Sequence, residues 1–132
     1  MRVTVDTNIL IRAVVRDDEG QADAATTLLK DAEVIAVPLP CLCEFVWVLR
    51  RVYRLGQEDI SAALTALLDA KNVAVNRPAV DAGLAVLKAG GDFADGLIAY
   101  EGAWLGGETF VSFDKKAVSL IASQGQPARL LA

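Results

Sequence analysis

Apolar and polar positions along the chain follow two rhythms that take turns. Residues 2–5 alternate polar or charged side chains with β-branched ones, the period of a short strand. Asp6-Thr7-Asn8 then offers three N-cap candidates in a row, and the apolar run from Ile9 to Val15 predicts a buried helix. After the polar turn Asp17-Asp18-Glu19-Gly20, a second helix is expected over residues 21–31. Residues 34–37 are wholly apolar, as in a strand covered on both faces. Pro38 and Pro40 stop it and open a helix expected over residues 42–54, with Gly56 at its end. From Gln57, Ile60, Ala63, Leu64, Leu67 and Leu68 recur at helical spacing. A third strand is expected at residues 73–75, and a helix from Arg77-Pro78 to Gly90-Gly91.

The next stretch, Asp92-Phe93-Ala94-Asp95-Gly96-Leu97-Ile98-Ala99, opens another helix. One acid suits its N-cap and another its first turn, while Leu97, Ile98 and Trp104 are expected to face a core. That helix ends at Gly106-Gly107. Residues 109–113 form a fourth strand, a short helix carries Val118, Leu120 and Ile121, and residues 129–131 suit a last strand. Strands and helices alternate throughout. The fold class predicted is therefore α/β, a mainly parallel sheet of four to five strands with helices on both faces.

The 132 residues suffice for one domain, 1–132, and 54% of them are apolar, which excludes disorder. The apolar runs are short and broken by charge, so no membrane span is expected. No apolar segment follows a basic start, and the expected location is cytoplasmic. Cys41 and Cys43 are two apart, which suits small buried thiols better than a bridge or a metal pair. Thirteen basic against 17 acidic residues give a net charge of −4, which argues against a general nucleic-acid coat protein. The chain has no histidine, so imidazole acid–base chemistry, His–zinc sites and Ser-His-Asp triads are excluded together.

What remains is carboxylate chemistry. Asp6 and Asp114 each follow a strand, where open α/β sheets build their sites. Asp92 and Asp95 start a helix, and Glu44 lies on a helix between Pro40, Cys41, Trp47 and Val48, an apolar face where a charge needs a partner. Each aspartate also suits a plain helix cap, and Arg12 or Arg51 is placed to neutralise Glu44. Brought together, the five acids would repel one another, and a cation would remove that cost. Oxygen donors alone fit Mg2+ or Mn2+. Such an ion activates water for phosphodiester hydrolysis, with Asp6, Glu44, Asp95 and Asp114 as ligands and Asp92 in support. Asn8, Thr7 and Ser112 are placed to orient ligands or water. Arg12, Lys115 and Lys116 are candidates for contacts to a substrate backbone.

Four motifs in order resemble the PIN-domain family, and within it the VapC toxins of bacterial toxin–antitoxin pairs. They are Val5-Asp6-Thr7-Asn8-Ile9-Leu10-Ile11, Glu44 in its apolar helix, the stretch from Asp92 to Ala99, and Thr109-Phe110-Val111-Ser112-Phe113-Asp114-Lys115. The resemblance implies a three-layer α/β/α sandwich and a Mg2+- or Mn2+-dependent endoribonuclease whose acids map onto Asp6, Glu44, Asp95 and Asp114. It also implies a homodimer and a VapB-type antitoxin that blocks the site and binds operator DNA. Two positions depart from the pattern. Ser112 stands where threonine is usual, and Gly96 replaces a commoner alanine, a change expected to cost up to about 1 kcal/mol of helix propensity and to loosen the site. Two other readings compete. A phosphoacceptor receiver domain requires an acid pair after the first strand and an aspartate after a central one, and neither is present. A binding protein without catalysis would use the acids only as caps and ion-pair partners.

Overall fold

The alternation in the sequence is realised as five short strands and seven helices in a computed structural model that describes residues 1–132. Two compact units can be distinguished, residues 1–76 and 77–132. In the first, β1 (Arg2–Thr4), α1 (Thr7–Val14), α2 (Glu19–Asp31), β2 (Val34–Ala36), α3 (Leu39–Arg51), α4 (Gln57–Asp69) and β3 (Val73–Ala74) follow in order. The strands form a parallel sheet, β1-β2-β3, with Val3 opposite Ile35 and Ile35 opposite Val73. Ile35 in the middle strand is completely buried, as its all-apolar surroundings require. Leu10 of α1, Leu42, Phe45 and Leu49 on one face of α3, and Ile60 and Leu64 of α4 are the largest of the other buried side chains of this unit. Each such side chain contributes about 1.5–3 kcal/mol by leaving water.

The second unit contains α5 (Arg77–Lys88), α6 (Phe93–Trp104), β4 (Phe110–Ser112), α7 (Lys115–Ser123) and β5 (Ala128–Leu130). Here β4 and β5 pair in parallel, with Val111 opposite Arg129. The α/β class and the parallel pairing agree with the sequence pattern. Three strands pair in the first unit and two in the second, all of them parallel.

Several boundaries differ from the sequence reading for local reasons. Helix α3 begins at Leu39, three residues early, because Pro38 is the extended N-cap and Pro40 needs no amide in the first turn. It ends at Arg51, and the chain reverses at Arg54, which holds a positive φ of 56°. Gly56 is consequently the N-cap of α4 and not the terminator of α3. Helix α2 starts at Glu19 because the Asp18 carboxylate accepts from the Gln21 amide at 3.0 Å.

The junction of α5 and α6 sets the geometry of the second unit. Gly90, at φ 95°, lets α5 close with its own amide on Leu87 and the Gly91 amide on Val86. The two helices then cross so closely that a Cβ on Gly96 would collide with the backbone of Ala82 and lie 2.7 Å from the Gly83 Cα. A Cβ on Gly83 would meet Leu97 and, at 2.8 Å, the Phe93 ring. Gly96 is thus a packing requirement, and the expectation that it loosens the site is corrected: what it loses in propensity it regains in close approach. The same crossing decides which face of α6 is internal. Phe93, Leu97 and Ala99 are buried, whereas Ile98 and Trp104, expected in the core, are 59% and 77% exposed. No helix of the chain is long and apolar enough to cross a membrane.

A pair of substitutions tests this crossing. Gly96→Ala is expected to lower the unfolding free energy by about 1–3 kcal/mol through overpacking. Gly102→Ala, later in the same helix with nothing within 4 Å of a new Cβ, should raise it by about 0.4–1 kcal/mol. Urea unfolding of both variants would check the opposite signs, and a gain for Gly96→Ala would show that the helices do not meet there.

Candidate functional site

Two of the candidate acids belong to the first unit. Val5, just past β1, donates its amide to the Ala36 carbonyl at 3.2 Å and extends the parallel pairing to the edge of α1. The next residue, Asp6, caps α1, its Oδ1 accepting from the Ile9 amide at 3.3 Å. The other carboxylate oxygen has no protein partner. Thr7 is buried and its hydroxyl hydrogen-bonds with Cys41, while Asn8 is exposed. Helices α1 and α3 pack together, and Cys41 registers what this juxtaposition does. Its thiol is pushed up, first by burial and then by the negative charges of Asp6 and Glu44, against the opposing Thr7 bond. Both carboxylates therefore act on one point of the α1–α3 junction. Cys41 and Cys43 form no disulfide; Cys41 is buried, as expected, and Cys43 is half-buried.

Glu44 is exposed and forms no ion pair, with Arg12 and Arg51 included. Contrary to the expectation of a costly charge on an apolar face, the buried face of α3 is Cys41, Leu42, Phe45, Val46 and Leu49, and Glu44 lies off it beside Trp47, which is 57% exposed. Arg12, a candidate for a substrate backbone, is instead held between helices, donating to Asp17 at 2.7 Å and to Gln21 at 2.7 Å. Tyr53 donates to the other oxygen of Asp17 at 3.0 Å, and Arg16 reaches Glu19 and Asp23. A pocket of about 210 Å³ beside Leu10, Val14, Leu29, Phe45 and Leu67 contains none of the acids, so its apolar walls are not the seat of the chemistry.

The second unit brings three acids together. Asp92 caps α6 through the Ala94 amide at 3.0 Å, and Asp95 follows in the first turn, partly buried. Asp114 caps α7 through the amides of Lys116 and Ala117, at 2.9 and 3.1 Å, and its own amide donates to the Ser112 hydroxyl at 3.0 Å. Ser112 thus aligns the chain that carries Asp114 as β4 ends. Lys115 and Lys116 open α7 and are exposed, the Lys116 ammonium lying beside Gly90 in the turn that leads to Asp92. The Asp95 carboxyl is raised above its ordinary range, first by burial and then by the charges of Asp92 and Asp114. None of the three acids belongs to an ion pair.

The chain matches the PIN domain over residues 3–120, and it belongs to the PIN-domain family, whose members are generally nucleases and typically bind divalent metal ions. No curated protein matches it. The donor chemistry fits a hard divalent cation. All candidate ligands are carboxylates, one oxygen of Asp6 and one of Asp114 remain beyond the cap bonds, and Asp95 is crowded by negative charge that no lysine or arginine neutralises. Within neither unit do three such side chains already form a ready-made cage.

The crowding of Asp95 makes stability depend on pH in a definite sense. A carboxyl raised in the fold above its unfolded value of 3.8 contributes stability below that pH and loses it as pH rises through the folded value. Ionised Asp95 therefore works against the metal-free fold at neutral pH. In chelator, Asp95→Asn is expected to melt above the wild type at pH 7, with the difference vanishing below about pH 4. Equal melting at both pH values would mean that the three acids do not crowd.

Proposed function

We propose that the protein is a Mg2+- or Mn2+-dependent endoribonuclease that acts as the toxin of a toxin–antitoxin pair. Family membership supports the nuclease class. The observation that carries the metal-dependent part is Asp95, partly buried beside Asp92 and Asp114 with no cationic side chain in attendance. A chain without histidine that concentrates carboxylates in this way is suited to an oxygen-coordinated ion.

The candidate ligands are Asp6 and Glu44 of the first unit and Asp95 and Asp114 of the second. When bound, the ion would polarise the phosphoryl group and lower the pKa of an attacking water. Asp92 adds negative charge next to Asp95 and fixes the start of α6. Ser112 holds the Asp114 backbone, and Thr7 anchors the first turn after Asp6 against Cys41. Lys115 and Lys116, exposed at the start of α7, are free to meet phosphates.

The toxin assignment rests on the resemblance of the four motifs to VapC proteins. With it come a VapB-type antitoxin, contact with operator DNA only through that antitoxin, a homodimer and a cytoplasmic site of action. A second reading has its own support. Asp6, Asp92 and Asp114 all cap helices, so a PIN-like binding protein without catalysis would also retain them.

Incubating the pure protein with a mixed RNA pool decides between the readings. Cleavage is expected with Mn2+ and not with chelator. Groups that merely orient metal ligands are worth about 10–100-fold, so Asp95→Asn and Glu44→Gln should each lower the rate by more than about 100-fold. Metal-independent cleavage, or full activity in both variants, would remove the carboxylate mechanism. Metal binding without cleavage of any RNA would favour the binding protein.

A further inference from the structure

On the nuclease reading, we infer that the exposed face of α3 which carries Glu44 is a single-stranded RNA track, with Trp47 as a base-stacking platform and Arg50 and Arg51 as phosphate contacts. At 1.5 Å rise and 3.6 residues per turn, Glu44, Trp47 and Arg51 lie within about 60° of one another, along about 10 Å of helix. Arg50 flanks Trp47 one turn on, and Arg54 continues the charge past the helix end.

Three observations support a nucleic-acid occupant. First, Trp47 is 57% exposed although it lies in a helix whose opposite face is well buried. An indole left largely in water in this way offers a flat apolar surface to a partner, and a base has a matching one. Second, Arg50, Arg51 and Arg54 are exposed and belong to no ion pair. The chain has an excess of acids, and Arg12 and Arg16 in the same unit have each found one or two. Three neighbouring guanidinium groups without acids therefore form a local positive strip on an acidic protein, complementary to a phosphate chain. Third, the strip is continuous with a candidate catalytic group. A strand stacked on Trp47 would have its neighbouring phosphates one helical turn from Glu44 on one side and beside Arg51 on the other. Stacking is indifferent to base identity, so this face would supply affinity and register without sequence selection.

The test is binding in chelator, where cleavage does not intervene, with a short random-sequence single-stranded RNA as probe. The chain has two tryptophans, so a Trp104→Phe background leaves Trp47 as the reporter. RNA is expected to quench its emission. Trp47→Ala should weaken binding about tenfold and Trp47→Phe much less, since a phenyl ring still stacks. Arg50→Gln and Arg51→Gln should each reduce the slope of log affinity against log salt by about 0.7. Unaltered affinity and slopes in a protein that cleaves RNA with Mn2+ would overturn the track and leave the nuclease reading standing. Trp47→Ala that breaks a dimer without affecting RNA affinity would assign the face to a second copy and equally overturn it. A wild type that neither binds nor cleaves RNA would bring down both inferences.

Discussion

The bond between an aspartate side chain and the first amides of a helix recurs at Asp6, Asp18, Asp92 and Asp114, and much else follows from it. A helix cannot bond its own leading amides, so a carboxylate at the N-cap stabilises the helix and fixes the residue at which it starts. In an α/β chain that residue lies just past the strand. Structural need alone therefore places Asp6 and Asp114 beyond β1 and β4. Each cap bond leaves the second oxygen of its carboxylate uncommitted. The structural and chemical roles of these aspartates are consequently not alternatives. Asp95 and Glu44 differ in kind, because neither caps anything, and they carry more of the functional argument for that reason.

The order of elements was legible in the sequence because it depends on local rules. Hydrophobic period, proline position and cap chemistry act within a few residues, and they located the elements to within about the usual end uncertainty, except α3, which starts and ends three residues earlier than expected. What was not legible depends on neighbours far along the chain. The burial of Leu97 was expected, but that of Phe93 and the exposure of Ile98 and Trp104 follow from where α5 crosses α6. Gly96 looked like a weakness because helix propensity is a property of one helix, whereas the close approach to Gly83 is a property of two. The pairing of strands as a trio and a pair has no local signature either.

The candidate site divides along the same line. Residue types and spacing singled out the five acids. The sequence pattern places Glu44 on an apolar face, but that face is exposed at Trp47, so the charge there carries no burial cost. The signal that would have corrected it was present in the sequence: Glu44, Trp47 and Arg51 share one stripe, while Leu42, Phe45 and Leu49 share another with the stronger claim to the core. Arg12 shows the converse. Its charge suggested a surface role, and its partners Asp17 and Gln21 lie across a turn whose geometry no window of residues reveals.

The crossing of α5 and α6 has a mechanical consequence. Where two helices touch through long side chains, the contact is compliant, because each chain can change rotamer and let the axes drift. Here Gly96 meets the main chain of Ala82 and Gly83 directly, with no rotatable bond between the two backbones. Asp95 is the residue before that point of contact, and Asp92 lies one turn earlier. Their positional noise is set by the stiffness of two backbones and not by side-chain flexibility, which is what a group that must hold its place to a fraction of an ångström requires.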